Sequence, residues 1–486
     1  MDLKSQRDNN SKIIEVKELT LKIENKIIFK DVNFSVNKGE MLLLYGKSGS
    51  GKSSLINCIA RIIPTAIDGD VTGKIIINGK DISDSSMTDL AGTIGFLMQD
   101  PDAQLCTFTV EDEVAFGLEN LRISRDEISK RIDSVFELFN IGNLRNRPLN
   151  ELSGGQKQKV AFASVVAINP DIYILDEPTA NLDPITSAQI VAIIKELSQK
   201  KNKTVIAIEH NTSMLEDCVD KLYNVSENKM IDENVEEYIG KIREESLLPV
   251  NKNKALEEVI LSVDNVEFFY GHRKILNNIS FDLRKGEVLG IVGHNGAGKS
   301  TLANILSGLR RKFKGTVLIN SKNINDFSLK ELGKNVGLVF QNPEHQFIKN
   351  TVEEELALGM KARNLSQEEI DKAVDKYLDI FSLSDKRKNN PFQLSQGEKR
   401  KLSTADMLIT GQNILILDEP TFGQDRENLG YLLELLYSVS SLENDGVGII
   451  MISHDMEVIR NACHKVLELN NGEISYYGDV DGYEYR

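Results

Sequence analysis

The sequence contains no uninterrupted apolar run of about 18 residues, the length that a membrane-spanning helix requires. No membrane span is expected within it. Its opening stretch, Met1-Asp2-Leu3-Lys4-Ser5-Gln6-Arg7-Asp8-Asn9-Asn10, lacks the apolar core of a secretory signal. Its four cysteines, Cys58, Cys106, Cys218 and Cys463, are scattered without CxxC or other metal-ligand spacing. They are expected to be small buried hydrophobes, and a cytoplasmic setting fits best. Positive charge is also in deficit: 58 Lys+Arg stand against 73 Asp+Glu, for a formal net charge of −15. Such a chain repels polyanions overall and is poorly suited to coating nucleic acid by charge. What remains is ordinary for a soluble globular protein, at 41% hydrophobic and 27% charged residues. The 486 residues are too many for one compact core, and about two to four domains are expected.

A repeat sets the organisation. Gly46-Lys47-Ser48-Gly49-Ser50-Gly51-Lys52-Ser53 recurs as Gly293-His294-Asn295-Gly296-Ala297-Gly298-Lys299-Ser300, an offset of 247 residues shared by Phe34 and Phe281. Beyond a shorter loop in the second copy, Gln99 and Gln341, Ser153 and Ser395, and Asp176 and Asp418 match at an offset of 242. His210 and His454 match at 244. An offset this steady marks a tandem duplication, with each copy spanning roughly 225 to 230 residues. The expected division is a flexible N-terminus at 1–12, a first domain at 13–228, a linker at 229–257 and a second domain at 258–486. The linker range is charged and shows little apolar periodicity, with some helix expected around 235–243. Short apolar runs at 41–45, 172–175 and 205–208, repeated at 288–292, 414–417 and 449–452, fit strands buried on both faces. Helical patterns at 157–168 and 187–197 fall between them, so the chain is expected to be α/β with mostly parallel core sheets.

In each copy an apolar strand, a glycine-rich turn and Lys-Ser opening a helix form a P-loop arrangement. Glycines allow successive backbone N–H groups to converge on phosphate, and the helix N-terminus adds partial positive charge. Lys52 and Lys299 would reach the β and γ phosphates, and the hydroxyls of Ser53 and Ser300 would coordinate Mg²⁺. Further along, Tyr173-Ile174-Leu175-Asp176-Glu177-Pro178 and Ile416-Leu417-Asp418-Glu419-Pro420 place two carboxylates at a strand end. Adjacent side chains there diverge, so Asp176 and Asp418 are assigned to magnesium, and Glu177 and Glu419 to polarising an attacking water.

Leu152-Ser153-Gly154-Gly155-Gln156, about 20 residues before the acidic pair, is the signature of ATP-binding cassettes, and nearly the whole chain resembles that family. The resemblance implies two P-loop ATP-binding cassette domains, each with a mostly parallel core sheet and a helical signature subdomain. It also implies that the domains pair head to tail, so that Ser153, Gly154 and Gly155 of one half, and Ser395 and Gly397 of the other, close on the γ-phosphate held opposite. Gln99 and Gln341 resemble the Q-loop glutamines that sense metal and γ-phosphate, and His210 and His454 resemble the switch histidines. After the glutamines come Gln99-Asp100-Pro101-Asp102-Ala103-Gln104 and Gln341-Asn342-Pro343-Glu344-His345-Gln346. They are followed by Thr109-Val110-Glu111-Asp112-Glu113 and Thr351-Val352-Glu353-Glu354-Glu355. These segments resemble the ATPases of energy-coupling factor transporters, bacterial importers of vitamins and transition metals, and in particular the fused type that serves thiamine-precursor (hydroxymethylpyrimidine) uptake. That resemblance implies ATP and Mg²⁺ as cofactors, and a short helix after each glutamine beside a groove for coupling helices. It implies a transmembrane coupling subunit and a substrate-binding membrane subunit as partners, no nucleic acid, and a peripheral position on the cytoplasmic face of the membrane.

Two departures make the halves unequal. Gln396 stands where the signature usually has a glycine, and Thr421-Phe422-Gly423-Gln424-Asp425 replaces Thr179-Ala180-Asn181-Leu182-Asp183. If that glycine position requires positive φ, Gln396 costs on the order of 1 kcal/mol. Tyr270 occupies the position where cassettes often stack an aromatic ring on adenine, and its counterpart is Ile23. Two rival functions share the fold: a soluble tandem cassette acting on ribosomes or DNA, and a sugar importer's ATPase. The first is disfavoured by the short, mixed-charge linker and the acidic chain; the second is disfavoured by the two Gln-(Asp/Asn)-Pro-(Asp/Glu) segments.

Overall fold

The computed structural model describes residues 11–24, 26–47, 49–179, 182–209, 215, 217–226, 229–238, 256–362, 365–420, 429–430, 432–434, 436–437 and 446–484. The chain divides into two compact units, Met1–Glu245 and Ser246–Arg486. Among the described residues no helix is long and apolar enough to cross a membrane.

Each unit is built on a six-stranded core sheet. In the first unit the order is Lys229–Glu233, Lys221–Ser226, Met41–Tyr45, Thr204–Ile208, Ile172–Asp176 and Ile94–Leu97. All neighbours are parallel except the Lys229–Glu233 edge. The second unit repeats this order with Glu473–Asp479, Lys465–Asn470, Val288–Val292, Gly448–Ile452, Ile414–Asp418 and Val336–Val339. Both faces of these sheets are covered, which is why their strands are continuous apolar runs. Met41 and Leu43 enter one hydrophobic cluster with the helices, while Leu42 and Leu44 enter the other. Each such leucine contributes about 1.5–3 kcal/mol through burial, so a charge in this strand would not be tolerated. The strand that precedes each glycine-rich turn lies between strands from late in the unit, and the crevice beyond its carboxyl end is where a doubly wound sheet takes a ligand.

A four-stranded antiparallel sheet packs on each core, in the order Lys26–Asn37, Lys12–Ile23, Asp70–Ile77 and Lys80–Asp81 in the first unit. Its register shifts between Val16 and Leu19 and again between Leu19 and Leu21. Such shifts break the alternation by which a strand is recognised in sequence. Lys12–Ile23 begins inside the range expected as a flexible tail.

The range expected as a linker is corrected at its start. Lys229–Glu233 pairs with Lys221–Ser226 as the antiparallel edge of the core sheet. Glu233 is anchored there: the Tyr45 hydroxyl donates to one carboxylate oxygen, and Asn224 Nδ2 donates to the other at 3.2 Å. Residues 235–238 are helical, while 239–243 lie outside the described residues. The expected helices are observed as Gly154–Ile168 and Pro184–Lys195.

Candidate functional site

The glycine-rich turns take the conformations that only glycine adopts cheaply. Gly46 and Gly293 have φ of 140° and 142°, and a Cβ there would lie 2.3 Å from Val225 O and 2.2 Å from Leu469 O. The helices Lys52–Ile59 and Lys299–Leu306 start directly after a left-handed glycine and present their N-termini to the turn. Lys52 and Lys299 are buried and folded back over the turn. Lys52 Nζ donates to Gly46 O at 2.8 Å and Lys47 O at 2.9 Å; Lys299 Nζ donates to Gly293 O at 2.6 Å and His294 O at 3.1 Å. An ammonium group held on carbonyls in this way is placed to exchange them for phosphate oxygens.

In the second unit these groups surround a cavity of about 290 Å³. Its lining brings together Tyr270, Asn295, Gly296, Gly298, Lys299, Ser300, Gln341, Asp418, Glu419 and His454, all singled out from the sequence. Arg273, Ile275 and Thr301 also line it and carried no motif. The Tyr270 ring is 46% exposed, meets Phe268 edge-on at 4.9 Å between centroids, and has the Arg310 guanidinium 5.5 Å from its own centroid. In the first unit, Ile23 packs against the hydrophobic cluster beneath it.

The acidic pairs end their strands with a feature absent from the sequence reasoning. Glu177 and Glu419 have left-handed backbones, with φ of 49° and 52°. This conformation costs a non-glycine residue about 1–2 kcal/mol and recurs where surroundings enforce it. Here the enforcing contact is a backbone hydrogen bond from Glu177 N to Ile208 O at 3.0 Å, and from Glu419 N to Ile452 O at 2.9 Å. Burial pushes the Glu419 carboxyl well above the usual carboxylate range; the Lys299 ammonium pulls it down and Asp418 pushes it further up. Burial also raises Asp418, against a hydrogen bond from Ser300 and the Lys299 charge. In the first unit the Ser53 hydroxyl lies 3.5 Å from Asp176 Oδ1. A buried carboxylate beside a serine hydroxyl and a glutamine is an all-oxygen donor set, which suits Mg²⁺. His454 meets Glu419 twice: its N–H donates to Oε2 at 3.3 Å, and its Nε2 lies 3.3 Å from Oε1. Ser48 and His210 lie outside the described residues, as do 180–181 and the 421–425 loop.

Ser153 and Ser395 cap the helices Gly154–Ile168 and Gln396–Ile409, each in a capping box with Gln156 or Glu398. Gly154 and Gln396 are the first residues of these right-handed helices, and a Cβ on Gly154 would meet nothing within 4 Å. The conformational cost expected for Gln396 is therefore not incurred; the two halves differ at this position in residue type. Among the described residues, the cavity lining does not include Ser395 or Gly397.

The segments after Gln99 and Gln341 form the short helices Pro101–Gln104 and Pro343–His345, capped by Asp100 and Asn342. Each is tied to its signature helix by an ion pair, Lys157 to Asp102 and Lys399 to Glu344. The last acid of each following run is buried and holds a loop: Glu113 accepts from Cys106 and Thr107, and Glu355 from Ile348 and Lys349.

Comparison with known proteins bears on the same elements. The family described as ABC transporter matches residues 29–180 and 276–422. A Bacillus subtilis protein named as an HMP/thiamine import ATP-binding protein, YkoD, is 35% identical, covering 96% of this chain and 91% of its own length. An ABC transporter ATP-binding protein of Caldanaerobacter subterraneus is 32% identical over 97% of this chain and 92% of its own. The solved structure of cbiO1 from Clostridium perfringens, described as part of the ABC transporter complex cbiONQ, is 31% identical. It covers 48% of this chain and 92% of its own, with a TM-score of 0.43. The chain thus belongs to the ATP-binding cassette transporter family, as an ATPase that carries two P-loop domains in one polypeptide.

Proposed function

We propose that this chain is the ATP-hydrolysing subunit of an energy-coupling factor importer, taking up a vitamin, a vitamin precursor or a transition metal. It would sit on the cytoplasmic face of the membrane with a transmembrane coupling subunit and a substrate-binding membrane subunit. The observation that carries the ATPase assignment is the convergence of Tyr270, Lys299, Ser300, Gln341, Asp418 and Glu419 on one cavity. The import assignment is supported by the name of the Bacillus subtilis relative and by the short capped helix that follows each Q-loop glutamine.

In this reading Lys52 and Lys299 bind the β and γ phosphates together with the backbone N–H groups of residues 46–53 and 293–300. Mg²⁺ would be held by Ser53, Asp176 and Gln99 in one site and by Ser300, Asp418 and Gln341 in the other, and would supply neutralisation of phosphate charge. Glu177 and Glu419 hold the attacking water and take its proton on a carboxylate oxygen, with His210 and His454 orienting each glutamate. Ser395 and Gly397 complete the site of Lys52, while Ser153, Gly154 and Gly155 complete that of Lys299. The domains are 13–228 and 258–486, with the edge strand Lys229–Glu233 added to the first. The test is reconstitution of the full chain with its neighbouring membrane subunits in liposomes. ATP-dependent uptake of hydroxymethylpyrimidine, thiamine or a divalent transition metal supports the proposal. Recovery of the chain from native membranes with ribosomes and without a polytopic partner refutes it.

A further inference from the structure

Arg400 is 1% exposed, within a run, Glu398-Lys399-Arg400-Lys401, that reads as a solvated helix face. Its guanidinium points inward: Nη1 donates to Phe340 O at 2.7 Å, and Nη2 donates to Gln341 O at 2.6 Å. These carbonyls belong to the backbone that leaves the strand Val336–Val339 and carries Gln341 into the lining of the nucleotide cavity. A buried guanidinium is costly without countercharge, and here the charges are those of Glu419 and Asp418. One side chain thus bears on the Q-loop backbone and on the acidic pair from the helix that Ser395 opens. We infer that Arg400 is a positioning residue for ATP hydrolysis: it fixes Gln341 against the Asp418–Glu419 end of the cavity and ties that Q-loop to its signature helix.

The first half is built differently. At the offset of 242 residues the corresponding position is Gln158, which is buried with Nε2 lacking a hydrogen-bond partner among the described residues. The stretch before Gln99 is held instead by Gln104, whose Oε1 accepts from Met98 N at 2.9 Å and whose Nε2 donates to Phe96 O at 3.3 Å. In the second half Gln346, the counterpart of Gln104, turns to Ser403, donating to its carbonyl at 2.9 Å and accepting from its hydroxyl at 2.7 Å. The Lys–acid tie is common to both halves, so among the described residues the guanidinium link from signature helix to Q-loop is found in the second half. A forked donor reaching two successive carbonyls is geometry that lysine cannot reproduce with one nitrogen.

The inference rests on Gln341 acting at the metal, as proposed above, and the experiment separates the two. In the full chain bound to its membrane partners, Glu177→Gln leaves hydrolysis dependent on Glu419. The Mg²⁺ concentration for half-maximal activity is then measured at saturating ATP for Arg400→Gln, Arg400→Lys and Gln341→Ala. Arg400→Gln should raise the Mg²⁺ midpoint at least fivefold, with the ATP KM at saturating Mg²⁺ changed less than twofold; Arg400→Lys should raise the midpoint by a smaller factor. If Arg400→Gln does not fold, a rise of twofold or more in Arg400→Lys supports the inference. A midpoint unchanged in the Arg400 variants while Gln341→Ala shifts it overturns the inference, since lost packing lowers kcat without moving metal dependence. A midpoint unmoved by Gln341→Ala removes the metal role on which the inference stands, and overturns both.

Discussion

Glu419 and His454 face each other at the edge of the second nucleotide cavity, the histidine backbone N–H on one carboxylate oxygen and its Nε2 3.3 Å from the other. One residue, at the end of the adjacent strand Gly448–Ile452, thus donates its backbone N–H to one oxygen of the glutamate and sets its imidazole close to the other. His454→Ala removes the imidazole and keeps the backbone contact. It should lower hydrolysis at that site by about 10²-fold, the usual scale for a group that orients an acid–base residue, with the ATP KM changed only slightly. Single-turnover hydrolysis in a Glu177→Gln background measures this.

Nucleotide affinity should differ between the halves through their adenine positions. Tyr270 offers a ring that Phe268 supports edge-on, whereas Ile23 is packed inward. Tyr270→Ala should weaken ATP binding to the second site by about 1 kcal/mol, roughly fivefold. Ile23→Ala should leave nucleotide affinity at the first site within about twofold. Titration with a fluorescent ATP analogue, with Lys52→Ala or Lys299→Ala silencing the other site, reads each affinity.

Asp406 carries a pH-dependent stability cost. It is buried in the helix Gln396–Ile409, and its Oδ1 has no hydrogen-bond partner among the described residues. Burial pushes its carboxyl well above the usual range, the nearby Glu355 carboxylate adds to this, and a hydrogen bond with Gln346 opposes it. With the folded pKa above the unfolded one, the native state keeps the proton longer. Stability is full below the ordinary carboxyl pKa of about 3.9 and falls as pH rises through the raised value. Asp406→Asn should therefore raise the melting temperature of the full chain at pH 8 by about 2–4 °C, and by less as the pH approaches 4. A lower or pH-independent melting temperature would contradict this.

The parts legible in the sequence were those written in consecutive residues. The P-loops, the acidic pairs and the capping serines Ser153 and Ser395 each combine a strand or helix boundary with fixed chemistry, so local physics places them. The offset between copies made the Ile23–Tyr270 inequality visible without a structure. Features that depend on tertiary neighbours were not legible. Lys229–Glu233 reads as charged chain, and becomes a strand because Tyr45 and Asn224 hold Glu233 at the sheet edge. The left-handed backbones of Glu177 and Glu419 follow from bonds to Ile208 and Ile452, which no local preference announces. Arg400 reads as surface charge and lies in the interior because two Q-loop carbonyls accept from it.

The central claim is that two unequal P-loop sites in one chain hydrolyse ATP for a membrane partner. Its most direct measurement is steady-state ATPase activity of the partner-bound chain, comparing wild type, Glu177→Gln, Glu419→Gln and the double variant. Under the proposed head-to-tail pairing the Lys52 site would have both inequalities, Ile23 in place of an aromatic ring and glutamine in place of glycine at position 396 of the signature. The account predicts that each single variant loses activity, that Glu419→Gln loses more, and that the double variant is inactive. Equal losses, a larger loss from Glu177→Gln, or activity retained by the folded double variant would contradict it.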